Sequence, residues 1–154
     1  MAEYPSDYFG VLTYKPESAI QFPEGLPGFP EEKSFLLVEQ ALNKPLLFLQ
    51  SLTRPDLCFM TLPVAAIQPG YRLAMAPEEL ETLGLPAGRQ PEPGADVLCL
   101  AILALNTDGP PTANLLSPVV INLANRRAVQ AIRTDGGYSH RHPLVGVAEE
   151  VACS

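Results

Sequence analysis

Phe22-Pro23-Glu24-Gly25-Leu26-Pro27-Gly28-Phe29 is a run that neither a helix nor the interior of a strand accepts. Each proline fixes φ near −65° and removes an N–H, while each glycine is free to take positive φ. Gly25 and Gly28 therefore read as turn positions. Phe22, Leu26 and Phe29 read as apolar pegs that hold the segment down, which a flexible linker does not need. The run predicts a rigid, packed connection at one end of a β-structure.

The rest of the chain agrees with that reading. Seventeen prolines and eleven glycines among 154 residues argue against long helices and for short strands joined by tight turns. Segments 8–14, 19–22, 35–39, 46–52, 57–62 and 71–75 are rich in Phe, Leu or Val and bounded by Pro, Gly, Asn or Asp, so each reads as a strand. Segment 96–106 is apolar on both faces and reads as a central strand. Segments 112–116 and 119–123 are strands broken by Pro118, and 128–133 is the last before a turn at Asp135-Gly136-Gly137. One helix is predicted over 76–84: Pro77 suits the first helical position, Glu78 and Glu79 complement the helix N-terminus, Leu80 and Leu83 share a face, and Gly84 ends it. A helix this short needs its leucine face docked. The expectation is an all-β, antiparallel barrel-like fold with one short helix, in a single domain over 1–154 whose core spans about 8–144, with 145–154 as a loose tail.

Composition narrows function. No charged-then-apolar leader opens the chain, and its longest apolar stretch, 97–105, is of strand length, so a soluble, cytoplasmic protein is expected. Cys58, Cys99 and Cys153 are odd in number and unpaired in spacing; the first two read as small buried hydrophobes and the third as an exposed free thiol. Net charge is −7 with only three lysines. Direct nucleic-acid binding, which needs a basic face, is not expected. An acidic surface instead speeds encounter with basic partners. Glu78, Glu79, Glu81, Glu92 and Asp96 crowd together, whereas Arg126, Arg127, Arg133 and Arg141 lie in the last third.

Catalytic chemistry finds little support. His140 and His142 would project to one side of an extended segment, half of a metal site, but no third ligand is evident beyond Asp135. There is no Gly-x-Ser-x-Gly, Ser117 has no recognisable base, and Gly136-Gly137 is not followed by a helix. No catalytic residue, cofactor or metal is expected. Asn114 and Asn122 read as satisfying backbone groups where Pro118 interrupts a ladder, or as organising a binding face.

Four ordered blocks carry a resemblance: Tyr8-Phe9-Gly10, the Phe22–Phe29 run, Thr112-Ala113-Asn114-Leu115-Leu116-Ser117-Pro118-Val119-Val120-Ile121-Asn122, and Tyr138-Ser139-His140-Arg141-His142-Pro143-Leu144. Together they make the chain resemble the FliW family of bacterial flagellar assembly factors from about Tyr8 to Leu144. The resemblance implies a protein that binds CsrA, a small dimeric RNA-binding regulator that represses flagellin translation, and also binds flagellin. It implies that the action on CsrA is non-competitive with RNA. One segment departs from the family. Where members commonly carry an acidic or amide residue followed by Pro and aromatics, this chain reads Met60-Thr61-Leu62-Pro63-Val64-Ala65-Ala66-Ile67-Gln68-Pro69-Gly70-Tyr71. Pro63 and Tyr71 survive; the polar residue and the aromatics do not.

Charge clustering and turn placement select Glu24, Asp56, Tyr71, Glu78 and Glu79 as the expected partner-binding residues. Three classes of function stay open. They are an antagonist of CsrA that also binds flagellin, a flagellin-binding chaperone without CsrA control, and a small β-barrel enzyme or metal protein using His140 and His142.

Overall fold

The computed structural model describes residues 1–132 and 137–144. The expected turn residues Asp135 and Gly136, the strand end at Arg133, and the 145–154 tail with Cys153 lie outside the described residues. Among the described residues eleven strands are present: β1 (Ala2–Ser6), β2 (Gly10–Tyr14), β3 (Ile20–Gln21), β4 (Ser34–Glu39), β5 (Leu47–Ser51), β6 (Cys58–Pro63), β7 (Val97–Ala104), β8 (Thr112–Ala113), β9 (Val119–Asn122), β10 (Arg127–Gln130) and β11 (His142–Pro143). Two short α-helices, α1 (Val64–Ile67) and α2 (Pro77–Leu83), interrupt them.

Seven strands close on themselves in the order β7-β6-β5-β4-β3-β10-β9 and back to β7. Every pairing in this ring is antiparallel except β3 with β10, a single parallel register point, Arg127 opposite Gln21. Alternation along the strands supplies the packing. Ile20, Phe35, Leu49, Leu100, Val119, Ile121 and Ala128 form one apolar cluster inside the ring. Val97, Cys99 and Ala101 on the other face of β7 join Leu62, Val120 and Val129 in a second cluster, covered by Tyr71, Leu73, Met75, Leu80, Leu83, Leu115 and Leu144. Burial on both faces is why β7 is apolar throughout.

Three details differ from the sequence reading. β1 and β2 form a separate antiparallel hairpin, with Tyr8 at its turn and not at a strand start. α1 is an unforeseen second helical turn after Pro63. Residues 71–75 alternate buried and exposed as a strand would, yet pair with no strand. The Gln90 side chain stands in for the neighbour: its Oε1 accepts from the Met75 N–H at 2.7 Å and its Nε2 donates to the Met75 carbonyl at 3.1 Å. No helix of the described residues is long and apolar enough to cross a membrane.

Candidate partner-binding surface

The Phe22–Phe29 run folds as its composition dictates. Phe22 donates its N–H to the Lys33 carbonyl at 2.8 Å and Gly25 donates to the Phe22 carbonyl at 2.9 Å. Leu26 and Phe29 exchange backbone hydrogen bonds across Pro27-Gly28, with Gly28 at φ +84°, the arrangement of a type II turn. Phe22 packs edge-on against Phe35 at 5.2 Å and Phe29 against Phe59 at 5.7 Å. Gly25 is required twice over. Its φ is +67°, and a Cβ there would sit 2.4 Å from the Pro30 carbonyl oxygen. This tied-down loop presents Glu24 to solvent.

α2 faces the same loop. Pro77 occupies its first turn, and the Glu79 carboxylate folds back to accept the Ala76 N–H at 2.8 Å. The other oxygen of Glu79 accepts the Ile132 N–H at 2.9 Å, tying the helix to the end of β10. At the far end, Asn122 and Asn125 both donate to the Leu83 carbonyl, at 2.8 and 3.0 Å, and Gly84 closes the helix in the left-handed region. Leu80 and Leu83 are buried, as the sequence reading required. Asn122 and Asn114, which caps the Ser117 N–H at 2.9 Å, thus satisfy backbone groups as one of the two readings held.

Between loop and helix runs a cleft of about 450 Å³ lined by Pro23, Glu24, Glu78, Glu81, Thr82 and Arg127. Glu24 also lines an adjoining apolar cleft of about 310 Å³ with Leu26, Pro27, Pro30, Val129, Gln130 and Ile132. Among the described residues, none of the carboxylates of Glu24, Glu78 and Glu81 lies within 4.0 Å of a basic group. Among the described residues the cleft sets these three carboxylates against one guanidinium, that of Arg127, which makes its surface acidic.

Asp56 belongs to a different patch. It lies on the β5–β6 turn, 3.2 Å from Arg54, and lines neither cleft. Its hydrogen bond from Arg54 holds the carboxyl below the usual carboxylate range. The Asp56 carbonyl accepts the Tyr8 hydroxyl at 2.7 Å, and the turn beneath is organised by buried Gln50. Gln50 accepts from the Ser6 hydroxyl at 2.7 Å and donates to the carbonyls of Ser51, Arg54 and Leu57 at 3.0 to 3.2 Å. Tyr8, Phe9, Phe48, Met60 and Cys58 line a groove of about 330 Å³ beside it. Burial pushes the Cys58 thiol up to about 11.

The five expected residues thus separate. Glu24 and Glu78 share one cleft. Glu79 stands next to it, with both carboxylate oxygens accepting backbone N–H groups. Asp56 is on the other patch. Tyr71 is buried, donating its hydroxyl to the Leu115 carbonyl at 2.6 Å and stacking on Tyr138 at 4.3 Å, so its ring belongs to the core cluster that includes Leu80 and Leu83 of α2 and not to an exposed surface. Sequence reasoning left Glu81, Thr82, Arg127 and Ile132 out of the site. The i, i+3 and i, i+4 spacing of Glu78 with Glu81 and Thr82 was the available signal. His140 stands in a turn and His142 in β11, so the two do not share one extended run. The described residues include no group of three or more His, Cys, Asp or Glu able to hold a metal.

Comparison with known proteins places these features in a family. The family model described as FliW protein matches residues 3–144. The Flagellar assembly factor FliW of Syntrophomonas wolfei is 34% identical over 140 residues, covering 90% of this chain and 86% of that protein. Its namesake from Bacillus subtilis is 31% identical over 140 residues, covering 90% and 94%. A crystal structure of the flagellar assembly factor FliW superposes with a TM-score of 0.80 at 30% identity, covering 93% of this chain and 96% of the other.

Proposed function

Because this chain belongs to the FliW family, we propose that it is a flagellar assembly factor that binds and antagonises CsrA, non-competitively with RNA, and also binds flagellin. The observation that carries the reading is the family match over nearly the whole described chain, with relatives named as flagellar assembly factors. The unpaired carboxylates of the cleft support it, since an RNA-binding partner is basic. In this reading flagellin occupies the protein while it accumulates. Once flagellin is exported, the freed protein captures CsrA and translation resumes. Antagonism without competition requires tighter binding to RNA-free CsrA than to the RNA-bound form, with a reciprocal loss of RNA affinity. No catalytic step or cofactor enters, and the work is done in the cytoplasm, where both partners are made.

The proposed contact surface centres on Glu24 and Glu78. Glu79 positions the helix that carries Glu78, Tyr71 supports the wall behind it, and Asp56 with Tyr8 offers a second patch. The departure in 60–71 keeps one further reading in play, a flagellin-binding chaperone without CsrA control: Ala65 and Ala66, exposed on α1, offer only methyl groups in the segment that lacks the polar residue and the aromatics. Calorimetric titration with CsrA and with flagellin from the same organism decides. Binding of CsrA with a matching fall in its RNA affinity upholds the partner switch. Binding of flagellin alone leaves the chaperone. Binding of neither overturns both.

A further inference from the structure

The ring of strands has a gap next to its acidic cleft. β3 stops at Gln21, after a single parallel register point opposite Arg127, where Gln21 donates to the Arg126 carbonyl at 2.8 Å. Continuing that ladder by two residues would bring the N–H of residue 23 to the Ala128 carbonyl. Residue 23 is proline, which has no N–H, and the chain peels away into the Phe22–Phe29 loop. β10 runs on without it. Ala131 donates its N–H to the Pro118 carbonyl at 2.8 Å, on the β9 side, so alternation turns the backbone of Gln130 to the opposite side, where β3 has already ended. One step further, the Ile132 N–H on that same side is taken by the Glu79 carboxylate. The N–H and carbonyl of Gln130 are left as a short strand edge next to the occupied Ile132 N–H, while Ala128, 1% exposed, lies buried below it.

That edge opens into the two joined clefts. One wall is apolar, with Leu26, Pro27 and a 58% exposed Ile132; the other carries Glu24, Glu78 and Glu81. We infer that this furrow binds a short extended segment of a protein partner, with cationic and apolar side chains in alternation, as an added strand on β10. Backbone pairing with Gln130 supplies the hold and the carboxylates select for Lys or Arg, the division of labour in strand-addition sites. Charge complementarity makes the occupant basic, since the described lining sets three carboxylates against Arg127 in a chain of net charge −7. The proposal shares Glu24 and Glu78 with the reading above but does not depend on who the partner is. Failure here leaves the CsrA and flagellin titrations untouched, and the reverse holds too.

The probe is fluorescein-labelled Lys-Val-Lys-Val-Lys-Val-amide, measured by anisotropy, with two derivatives N-methylated at all three Val or at all three Lys. An added strand pairs along one edge only, so one derivative binds like the parent and the other about tenfold weaker, the worth of one lost hydrogen bond. Amide exchange at Gln130 slows on binding, and exposed-site variants Glu24→Lys and Ile132→Lys each weaken it. Equal binding by both derivatives, an unprotected Gln130 amide, or no binding at millimolar peptide overturns the proposal.

Discussion

Gly25 and Gly28 offer a controlled comparison, because they share a loop and a positive φ but differ in surroundings. Alanine at Gly28 meets nothing within 4 Å, so only the left-handed backbone penalty applies, about 1 to 2 kcal/mol. Alanine at Gly25 meets the same penalty and also the Pro30 backbone, with O, C and Cα at 2.4, 2.7 and 2.8 Å. Backbone cannot rotate aside like a side chain tip. The Pro30 carbonyl has to retreat to 3.0 Å or more, which drags on Phe29 and its contact with Phe59. Overpacking of this kind adds about 1 to 3 kcal/mol, for a total of about 2 to 5. For a chain of this length each kcal/mol lowers Tm by about 2 to 4 °C.

The chain has no tryptophan, so unfolding in urea is best followed by far-UV circular dichroism. Gly25→Ala is expected to shift the midpoint about 1.5 to 4 times as far as Gly28→Ala, with unchanged slope. Equal losses for the two variants would refute the argument. They would mean that the loop gives way freely at Pro30 and is not the rigid carrier of Glu24 described above.

Three further outcomes test other parts of the structure. Gln50→Ala leaves the Ser6 hydroxyl and several turn carbonyls without their buried partner, so urea unfolding should report a loss of about 2 to 4 kcal/mol. Faster amide exchange at Tyr8 and Phe9, whose N–H groups both donate to Ser6 Oγ, should accompany it. Cys58, with its thiol raised to about 11, should react slowly with iodoacetamide at pH 8. Its rate should keep rising with pH well past 9, as read by peptide mass spectrometry; a plateau near pH 9 would show an ordinary thiol. Glu79→Gln keeps one acceptor oxygen but sets its NH2 against the other backbone N–H, and should lower stability by about 1 to 3 kcal/mol, whereas Glu78→Gln, which loses only a favourable charge in the first helical turn, should cost less than about 1 kcal/mol.

Much of this architecture was written in local chemistry. The Phe22–Phe29 loop was legible because Pro and Gly restrict φ residue by residue, and β7 because a strand buried on both faces must be apolar at every position. α2 announced itself through Pro77, Glu79 and Gly84. What escaped was decided by distant partners. β1 contains Glu3 and Pro5, poor strand residues, and is a strand only because β2 folds back on it. Residues 71–75 have a strand's alternation, but Gln90 reaches in from fifteen residues away to do what a strand would have done. The candidate site was half legible for the same reason. Glu24 and Glu78 could be chosen by charge and turn position, but nothing local says that Tyr71 points inward or that Pro23 leaves Gln130 facing a gap.

Glu79 shows why site and scaffold have to be separated before any binding variant is interpreted. Its two carboxylate oxygens hold the Ala76 N–H and the Ile132 N–H, so it fixes the helix start and the end of β10 together. Reversing its charge would disturb the fold of the furrow as well as its field, and a slower association would then have two causes. Glu78 and Glu81 carry no such duty through their side chains, and both are exposed. Glu78→Lys with Glu81→Lys therefore isolates the field. If the acidic cleft steers a basic partner, the double variant slows association with CsrA and flattens its dependence on ionic strength, while stability falls by no more than about 1 kcal/mol, the worth of Glu78 at the helix N-terminus. Association that is equally fast at low salt would move the interface away from α2, and the Tyr8–Asp56 patch would be the next surface to test.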